Sequence, residues 1–308
     1  MIIEPSGRIL GATVTGVDLG KPLGDDDFAE IIQALGRHGV LCFKDQKITP
    51  EQQAGFAKRF GTLEINVAAG PYTVPGLPEV MILSNIVRDG KPIGLGDAGQ
   101  GWHTDMSYSK EIAFGNVLYA LEVPRRDGRV LGDTLFANMH AAYDDLPDAL
   151  KKKLADKEAI HDFEKFWEMM RARPGSTRGP LTPEQRAKKP PVAHPVFLMH
   201  PITGRKVLYC NPGYATRIVG MDEKESDETL AFLFEHQLQE KYQYAHHWSE
   251  GDVLFWENIG TLHNAVADYG PDEPRHILRC QVMADKVFEG FGEAASRTKP
   301  EAREPARR

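Results

Sequence analysis

Short strand patterns dominate the second half of the chain, and this distribution constrains the fold more than any other feature of the sequence. Segments such as 40–43 and 253–258 are apolar, brief and bounded by turn residues, as buried strands usually are. Clear helical periodicity is limited to 25–37, about 50–60 and about 222–238. Strands and helices in this proportion pack as one β core with the helices outside it. We therefore expect a mainly β fold with flanking helices.

Local signals locate the ends of two helices and one early strand. Asp25 is the expected N-cap of the first helix, and Gly39 is its expected stop. The second helix follows Thr49-Pro50-Glu51-Gln52, which combines a capping box with proline at the first helical position. The β-forming residues of 9–18 predict a strand before the first helix.

Two long connections and the tail interrupt this pattern. Residues 66–101 are rich in Gly, Pro, Asn and Asp, so we expect loops and short strands that end in the glycine-rich stretch 94–101. Residues 163–192 predict a helical start followed by a flexible, lid-like excursion, because connections of this length are usually functional or disordered. The tail 291–308 lacks an apolar period and is expected to be disordered, which leaves a single domain at 1–290.

Charge and cysteine content exclude several classes of function. The 308 residues carry a formal net charge of −7, whereas nucleic-acid binders need a basic surface. The three cysteines contain no Cys-x-x-Cys pair, which argues against a zinc ribbon, a dithiol motif or a disulfide framework. No apolar run approaches the roughly 18 residues that span a bilayer, and no secretory signal is visible. We expect a cytoplasmic protein without nucleic-acid or membrane partners.

The tripeptide His103-Thr104-Asp105 places an imidazole and a carboxylate two residues apart. In an extended chain such side chains point to the same face, so both groups can bind one ion. A second histidine would complete the two-histidine, one-carboxylate set of non-haem iron sites, which leaves coordination positions open. His263, shortly after the strand 253–258, is the candidate. Considered alone, a His-x-Asp tripeptide is usually a surface feature, and a histidine after a strand is usually packed or capping.

Arg275 and Arg279 follow at a spacing that places both on one face of a strand. If that face points inward, each guanidinium needs a partner, because a buried unpaired charge is costly. A ligand carboxylate is a suitable partner, since its two oxygens match the guanidinium fork. Two solvated arginines on an edge strand are the alternative that these residues leave open.

These candidate metal ligands and arginines occur in a chain that resembles the taurine dioxygenase family of iron(II)/2-oxoglutarate oxygenases. That family also contains the aryloxyalkanoate herbicide dioxygenases. The resemblance runs from about Ile9 to Phe288. It is carried by motifs in the same order: Gly11-Ala12, Thr15-Gly16-Val17-Asp18-Leu19, Arg59-Phe60-Gly61, Trp102-His103-Thr104-Asp105, Gly132-Asp133-Thr134, His194-Pro195-Val196, His200-Pro201, Gly204-Arg205-Lys206, Thr216-Arg217-Ile218-Val219 and His263-Asn264-Ala265-Val266-Ala267-Asp268-Tyr269.

The resemblance implies a fold, a reaction and a set of site residues. The implied fold is a double-stranded β-helix, or jelly roll, with helices outside. The implied reaction is oxidation of an unactivated C–H bond by O2, coupled to decarboxylation of 2-oxoglutarate. The implied Fe(II) ligands are His103, Asp105 and His263, the implied 2-oxoglutarate-binding pair is Thr134 and Arg275, and the implied substrate-facing arginine is Arg279.

Departures from the family pattern bear on the primary substrate. Asn66 stands where the taurine-specific members have a histidine, so taurine itself is not expected. Phe166, Trp167 and Tyr214 add aromatic bulk where the family has its lid and pocket, with plain core packing as the alternative. We expect these residues, with Arg279, to bind a larger organic anion, a carboxylate such as an aryloxyalkanoate. A taurine-like sulfonate is the second expectation.

Two other classes of protein stay open. A zinc hydrolase could use two histidines and a carboxylate around an activated water, but it has no use for Arg275 and Thr134 placed to bind a dicarboxylate. A non-catalytic protein that senses an organic acid would need Arg279 but not three metal ligands. By analogy with family members, we also expect a homo-oligomer, either a dimer or a tetramer.

Overall fold

The computed structural model describes residues 1–65, 72–173, 176 and 178–289. These residues form twenty strands and eight α-helices. The strands are β1 (Ile2–Pro5), β2 (Ala12–Thr15), β3 (Val40–Phe43), β4 (Thr73–Val74), β5 (Leu77–Ser84), β6 (Val87–Arg88), β7 (Lys91–Pro92), β8 (Ala113–Glu122), β9 (Arg125–Arg126), β10 (Arg129–Val130), β11 (Thr134–Asn138), β12 (Glu158–His161), β13 (Val192–Pro195), β14 (Phe197–Met199), β15 (Lys206–Leu208), β16 (Ala215–Ile218), β17 (Gln243–His246), β18 (Val253–Glu257), β19 (Thr261–Ala265) and β20 (His276–Met283). The helices are α1 (Asp25–His38), α2 (Pro50–Lys58), α3 (Met139–Asp144), α4 (Asp148–Leu154), α5 (Phe163–Arg171), α6 (Pro183–Lys188), α7 (Glu223–Gln237) and α8 (Asp285–Phe288).

The main sheet has eight strands in the order β1-β2-β3-β18-β8-β20-β5-β4. Its central strands β18, β8 and β20 are antiparallel and come from distant parts of the chain, so that Gln281 of β20 faces Asn116 of β8. The strands β2 and β3 pair in parallel, and the other described pairs of this sheet are antiparallel. β20, which carries Arg279, and β18, the strand before His263, are therefore both neighbours of β8.

Alternate side chains of the main sheet enter two different cores. On β18, Val253 and Phe255 pack with the apolar residues of α1 and α2, whereas Leu254 and Trp256 belong to a second cluster. That cluster also includes Phe136, which belongs to the three-stranded sheet β17-β11-β19. The ring centroids of Phe136 and Trp256 lie 5.3 Å apart. Successive side chains of a strand point to opposite faces, so a fully apolar strand needs cover on both sides. Helices cover one face and the second sheet covers the other, which confirms the mainly β fold with flanking helices.

The predicted helices are present, with corrected ends. α1 begins at Asp25, but Asp25 is not its N-cap: Gly24 occupies the cap position, and no side chain caps the helix. Gly39 ends α1 as expected, with a φ of 67° that glycine adopts without strain. Both halves of the capping box between Thr49 and Gln52 form at the start of α2.

The long connections hold more regular structure than the sequence predicts. β5 is an eight-residue strand inside 66–101, because β20 and β4 supply hydrogen-bonding partners that local composition does not reveal. Residues 163–192 begin with α5, which confirms the helical start. They also contain α6 and reach β13, so the described part of the segment holds more helix and strand than the sequence predicts, and its lid-like character stays a prediction.

The remaining expectations concern the early strand, the start of the first long connection and the tail. Within 9–18, the strand is shorter than predicted and covers Ala12–Thr15. Residues 66–71 and the predicted disordered tail 291–308 lie outside the described residues. Across the described ranges, every helix is too short or too polar to cross a membrane.

Candidate metal and substrate site

His103 and His263 are held together by their backbones. His263 lies in β19, which pairs with β11. The N–H of His103 donates to the carbonyl oxygen of His263 at 3.1 Å, and the N–H of His263 donates to the carbonyl oxygen of His103 at 2.9 Å. Residues that exchange both hydrogen bonds in this way lie directly opposite each other, so their side chains share one face.

Asp105 completes a cluster of three buried donors. Its Oδ1 lies 3.5 Å from Nε2 of His103, and its Oδ2 lies 3.7 Å from Nε2 of His263. One ligand atom from each of the three residues lies within 4.8 Å of the other two. The structure thus brings together the three residues that the sequence singles out as metal ligands.

Neighbouring groups orient these donors. Nδ1 of His103 lies 2.7 Å from the carbonyl oxygen of Gly101. A carbonyl oxygen can only accept, so Nδ1 carries the proton and Nε2 keeps the lone pair that a metal needs. Nδ2 of Asn116 donates to Oδ2 of Asp105 at 3.0 Å and fixes the carboxylate plane.

Burial and charge set the protonation of the cluster. Burial lowers the pKa of His263 to about 3, so its imidazole is neutral at neutral pH. Burial acts in the opposite direction on Asp105, but the Arg279 guanidinium and the two imidazoles outweigh it and hold the pKa of this carboxyl well below its usual range. An ionised carboxylate beside imidazole nitrogens is a mixed donor set that suits a divalent first-row metal.

Arg279 connects the donor cluster to a polar network on β20 and β8. Its Nη1 lies 3.7 Å from Oδ2 of Asp105, and its Nη2 donates to Oε1 of Gln281 at 3.1 Å. Gln281 in turn donates to Oδ1 of Asn116 at 3.4 Å. The guanidinium therefore stands beside the candidate metal ligands and is oriented by a side-chain amide.

Arg275 and Thr134 are both buried, at 7% and 3% exposure. Arg275 lies immediately before β20, with its guanidinium carbon 5.9 Å from the ring centroid of Tyr269. Burial lowers its pKa, and no carboxylate of the described residues forms an ion pair with it. Thr134 lies at the start of β11, where its hydroxyl oxygen accepts a hydrogen bond from the Trp248 indole at 3.1 Å. A buried guanidinium without a protein anion is suited to an anionic ligand.

A cavity of about 120 Å³ opens beside the donor cluster, and His103, Asp105 and Arg279 are among the residues that line it. Phe166 and Tyr214 have ring centroids 5.1 Å apart, and the Phe166 ring lies 4.9 Å from that of His103. Flat apolar surfaces beside a cation suit a planar organic anion. The aromatic wall of the cavity consists of Tyr108, Phe163, Phe166, Trp167 and Tyr214.

The segment 163–192 forms one side of this cavity through α5. It is tied to the glycine-rich stretch before His103 by two contacts: Arg178 forms an ion pair with Asp97, and Arg173 donates to Gln100. Asp97 and Arg178 both line the cavity. The segment therefore lies along the cavity of the candidate site.

The predicted substrate residues divide into two groups. Phe166, Trp167, Tyr214 and Arg279 line the cavity. Asn66 lies outside the described residues. The 2-oxoglutarate pair Arg275 and Thr134 is not among the residues that line this cavity.

The sequence did not single out several residues that line or support the site, among them Gln281, Phe163, Tyr108 and Asn116. Gln281 could have been found, because it lies two residues after Arg279 and hence on the same strand face. Phe163 could have been found as well, because it precedes the two predicted aromatic residues of α5 at helical spacing. Tyr108 and Asn116 carry no local signal, since their roles depend on where Tyr214 and the metal-ligand segment lie in space.

The sequence profile described as "Taurine catabolism dioxygenase TauD, TfdA family" matches residues 3–281. The chain belongs to this family. The TauD/TfdA family consists of Fe(II)- and 2-oxoglutarate-dependent oxygenases, and the chain is an enzyme of that dioxygenase class. The zinc-hydrolase and non-catalytic alternatives are disfavoured by this membership.

TauD/TfdA relatives match nearly the whole chain. Pentalenolactone F synthase of Streptomyces avermitilis is 33% identical over 295 residues, which cover 92% of this chain and 94% of that protein. The alpha-ketoglutarate-dependent 2,4-dichlorophenoxyacetate dioxygenase of Cupriavidus pinatubonensis is 32% identical over 298 residues, which cover 93% and 99%. A crystal structure of AAD-2 in complex with Mn(II) and N-oxalylglycine superposes with a TM-score of 0.74 at 29% identity and covers 92% of this chain and 96% of its own.

Proposed function

We propose that this TauD/TfdA-family enzyme oxidises a C–H bond of a small organic anion, a carboxylate such as an aryloxyalkanoate, with Fe(II), 2-oxoglutarate and O2. The observation that carries the substrate proposal is the cavity whose lining combines five aromatic residues with Asp105 and Arg279. The activity named for the Cupriavidus relative supports the same substrate class. Where the oxidised carbon bears oxygen, the hydroxylated product can fragment and release a carbonyl compound.

We place this chemistry in one domain at 1–290 with a double-stranded β-helix fold. The eight-stranded sheet and the β17-β11-β19 sheet, packed face to face, supply the two layers that such a fold needs. His263 belongs to the smaller sheet, and Arg279 belongs to the larger one. The site then lies between the layers.

His103, Asp105 and His263 would hold the iron. Their donor atoms converge, and the hydrogen bond to Gly101 leaves Nε2 of His103 free to coordinate. Three protein ligands on one side leave positions for the co-substrates. When bound, iron supplies the activation of O2, and 2-oxoglutarate is converted to succinate and carbon dioxide.

Arg275 and Thr134 would bind the distal carboxylate of 2-oxoglutarate. Arg275 is buried without an ionic partner among the described residues, and a carboxylate would compensate its charge through two parallel hydrogen bonds. The Thr134 hydroxyl accepts from Trp248, which leaves its own proton to donate to a carboxylate oxygen.

Arg279 would bind the anionic group of the primary substrate, and the aromatic wall would hold its apolar body. The segment 163–192 would act as a lid, because α5 supplies part of that wall and the Arg178–Asp97 ion pair ties the segment down. A closed lid excludes water and orients the C–H bond. A homo-oligomeric state and a cytoplasmic location stay predictions.

The test is an anaerobic titration of Fe(II) and 2-oxoglutarate into the metal-free protein, followed by absorbance. Chelation of the metal by 2-oxoglutarate should produce a visible metal-to-ligand charge-transfer band. A phenoxyacetate that binds beside the metal should shift this band, and an alkyl sulfonate of similar length should shift it less. His263→Gln should abolish the band, whereas His247→Gln, at an exposed histidine, should retain it.

Each outcome has a distinct meaning. A band that shifts with sulfonates but not with carboxylates would replace the proposed substrate class by the second candidate. If iron binds but no band appears, 2-oxoglutarate does not chelate the metal at this site, and the proposed reaction is wrong.

A further inference from the structure

A second cluster of metal-binding side chains lies apart from the site described above. Cys42 of β3, His246 at the end of β17 and Asp252 just before β18 each offer a donor atom, and these atoms lie within 4.8 Å of one another. All three side chains are buried. None of them takes part in the proposed oxygenase chemistry.

The backbones around this cluster hold the three residues in place. Cys42 lies within the β3–β18 ladder. The carbonyl oxygen of Asp252 accepts from the N–H of Ala120 at 2.9 Å. His246 faces Thr134 in the β11–β17 ladder. Donors carried on rigid elements need little reorganisation to bind an ion.

The side chains leave donor capacity unused. Nε2 of His246 is buried and has no hydrogen-bond partner of good geometry within the described chain; it lies 3.5 Å from Oδ2 of Asp252. The Asp252 carboxylate accepts from the Ser249 N–H at 2.9 Å and lies 2.7 Å from Nζ of Lys44. Buried polar atoms normally form a well-aligned hydrogen bond, so an imidazole nitrogen whose neighbouring carboxylate oxygen is as far as 3.5 Å, and which lies beside a thiol, has capacity for a ligand.

A cavity of about 530 Å³ gives access to the cluster. Cys42 and His246 line it, together with Lys44 and Arg8. The Lys44 side chain is one-third exposed, so it can turn toward solvent when another cation approaches Asp252. The cluster is therefore enclosed but reachable.

We propose that Cys42, His246 and Asp252 form a second metal site, selective for a thiophilic divalent cation such as Zn²⁺. Thiolate sulfur, imidazole nitrogen and carboxylate oxygen are the ligands that zinc prefers, and a thiolate discriminates against Mg²⁺ and Ca²⁺. On binding, the Cys42 thiol loses its proton to solvent, a metal–sulfur bond forms, and the cation takes the place of Lys44 at Asp252. A water molecule completes a tetrahedral set.

Cobalt(II) is the probe that separates this site from the iron site. A thiolate bound to Co²⁺ gives a near-ultraviolet ligand-to-metal charge-transfer band, and His103, Asp105 and His263 include no sulfur. Titration of Co²⁺ into the reduced full-length protein should produce this band, and Zn²⁺ should abolish it. The band should survive in Asp105→Ala, which removes a proposed iron ligand.

Matched cysteine variants assign the band. Cys42→Ser should lose it, and Cys280→Ser, at another buried cysteine, should keep it. The absence of the band in folded wild-type protein at saturating Co²⁺, or its survival in Cys42→Ser, would overturn the proposal.

A second pair of variants covers the case in which Cys42→Ser does not fold. His246→Gln should abolish the band. Lys44→Met removes the competing cation and should tighten Co²⁺ binding by roughly tenfold, the factor that about 1.4 kcal/mol produces. Unchanged Co²⁺ affinity in both variants would contradict the site.

Discussion

Arg279 lies within β20, whereas Arg275 lies four residues earlier, immediately before that strand, and the two arginines have different surroundings. Arg279 lines the cavity, lies 3.7 Å from a carboxylate oxygen of Asp105 and is hydrogen-bonded to Gln281. Arg275 is buried beside Tyr269 and does not line the cavity. Two guanidinium groups in different environments can therefore bind two different anions.

Matched lysine substitutions test this division of roles. Lysine keeps the charge but loses the planar fork, so Arg275→Lys should weaken 2-oxoglutarate binding by roughly tenfold or more. Arg279→Lys should leave 2-oxoglutarate binding nearly unchanged and weaken the response to candidate substrate anions instead. Both affinities are measured from the anaerobic charge-transfer titration. Equal effects of the two variants on 2-oxoglutarate would show that the arginines do not have separate ligands.

At the scale of single elements, two helices begin with the same capping motif but differ in how many of their residues are buried. α2 and α6 each have a complete capping box with proline at the start, based on Thr49 and Thr182. α2 buries Ala54, Phe56 and Ala57 against the main sheet, whereas no residue of α6 is buried. Loss of the α2 cap should therefore lower the free energy of unfolding of the whole domain, whereas loss of the α6 cap should destabilise that helix alone.

Denaturation of the two alanine variants distinguishes these cases. Thr49→Ala should lower the free energy of unfolding by about 1 kcal/mol, the usual cost of a lost cap. Thr182→Ala should change it by much less, because α6 can fray without exposing core. The measurement is urea unfolding followed by circular dichroism. A larger loss for Thr182→Ala would mean that the segment around α6 is part of the cooperative core.

On the scale of the whole molecule, the protein buries several histidines in their neutral form. His161 of β12 is fully buried near His194 and Tyr209, and burial lowers its pKa to about 3. In the unfolded chain the same imidazole takes up a proton near its ordinary value of 6.5. Between these values the unfolded state binds more protons than the folded state, so stability falls as pH falls.

Removal of one such buried imidazole should make the free energy of unfolding less dependent on pH. His161→Phe should reduce the slope of the unfolding free energy against pH by up to about 1.4 kcal/mol per unit below pH 6.5. Urea unfolding of the metal-free protein at a series of pH values measures the slope. An equal slope in His161→Phe and wild type would mean that His161 is not held neutral by the fold.

Much of the site could be predicted from local residue patterns. Strand geometry predicted that His103 and Asp105 can bind one ion, and their donor atoms do converge with that of His263. In the structure, however, His103 lies in an isolated bridge and Asp105 lies in a turn. The capping box at Thr49 and the stop at Gly39 likewise involve atoms only a few residues apart. His263 was a candidate because it follows the strand 253–258, and the resemblance to family motifs selected it, because no local rule links a histidine so far along the chain to the other two ligands.

What local patterns could not reveal depends on contacts between distant segments. β5 is a strand because β20 lies beside it, and Asn116 supports Asp105 because β8 passes behind the ligand segment. Cys42 and His246 are each unremarkable in their own segments, and the proposed second metal site exists only where two sheets meet. Backbone pairing and burial between distant segments leave no periodic signal in the sequence. The residues of the proposed iron site could therefore be predicted from the sequence, whereas their supporting network and the second cluster are visible only in the folded molecule.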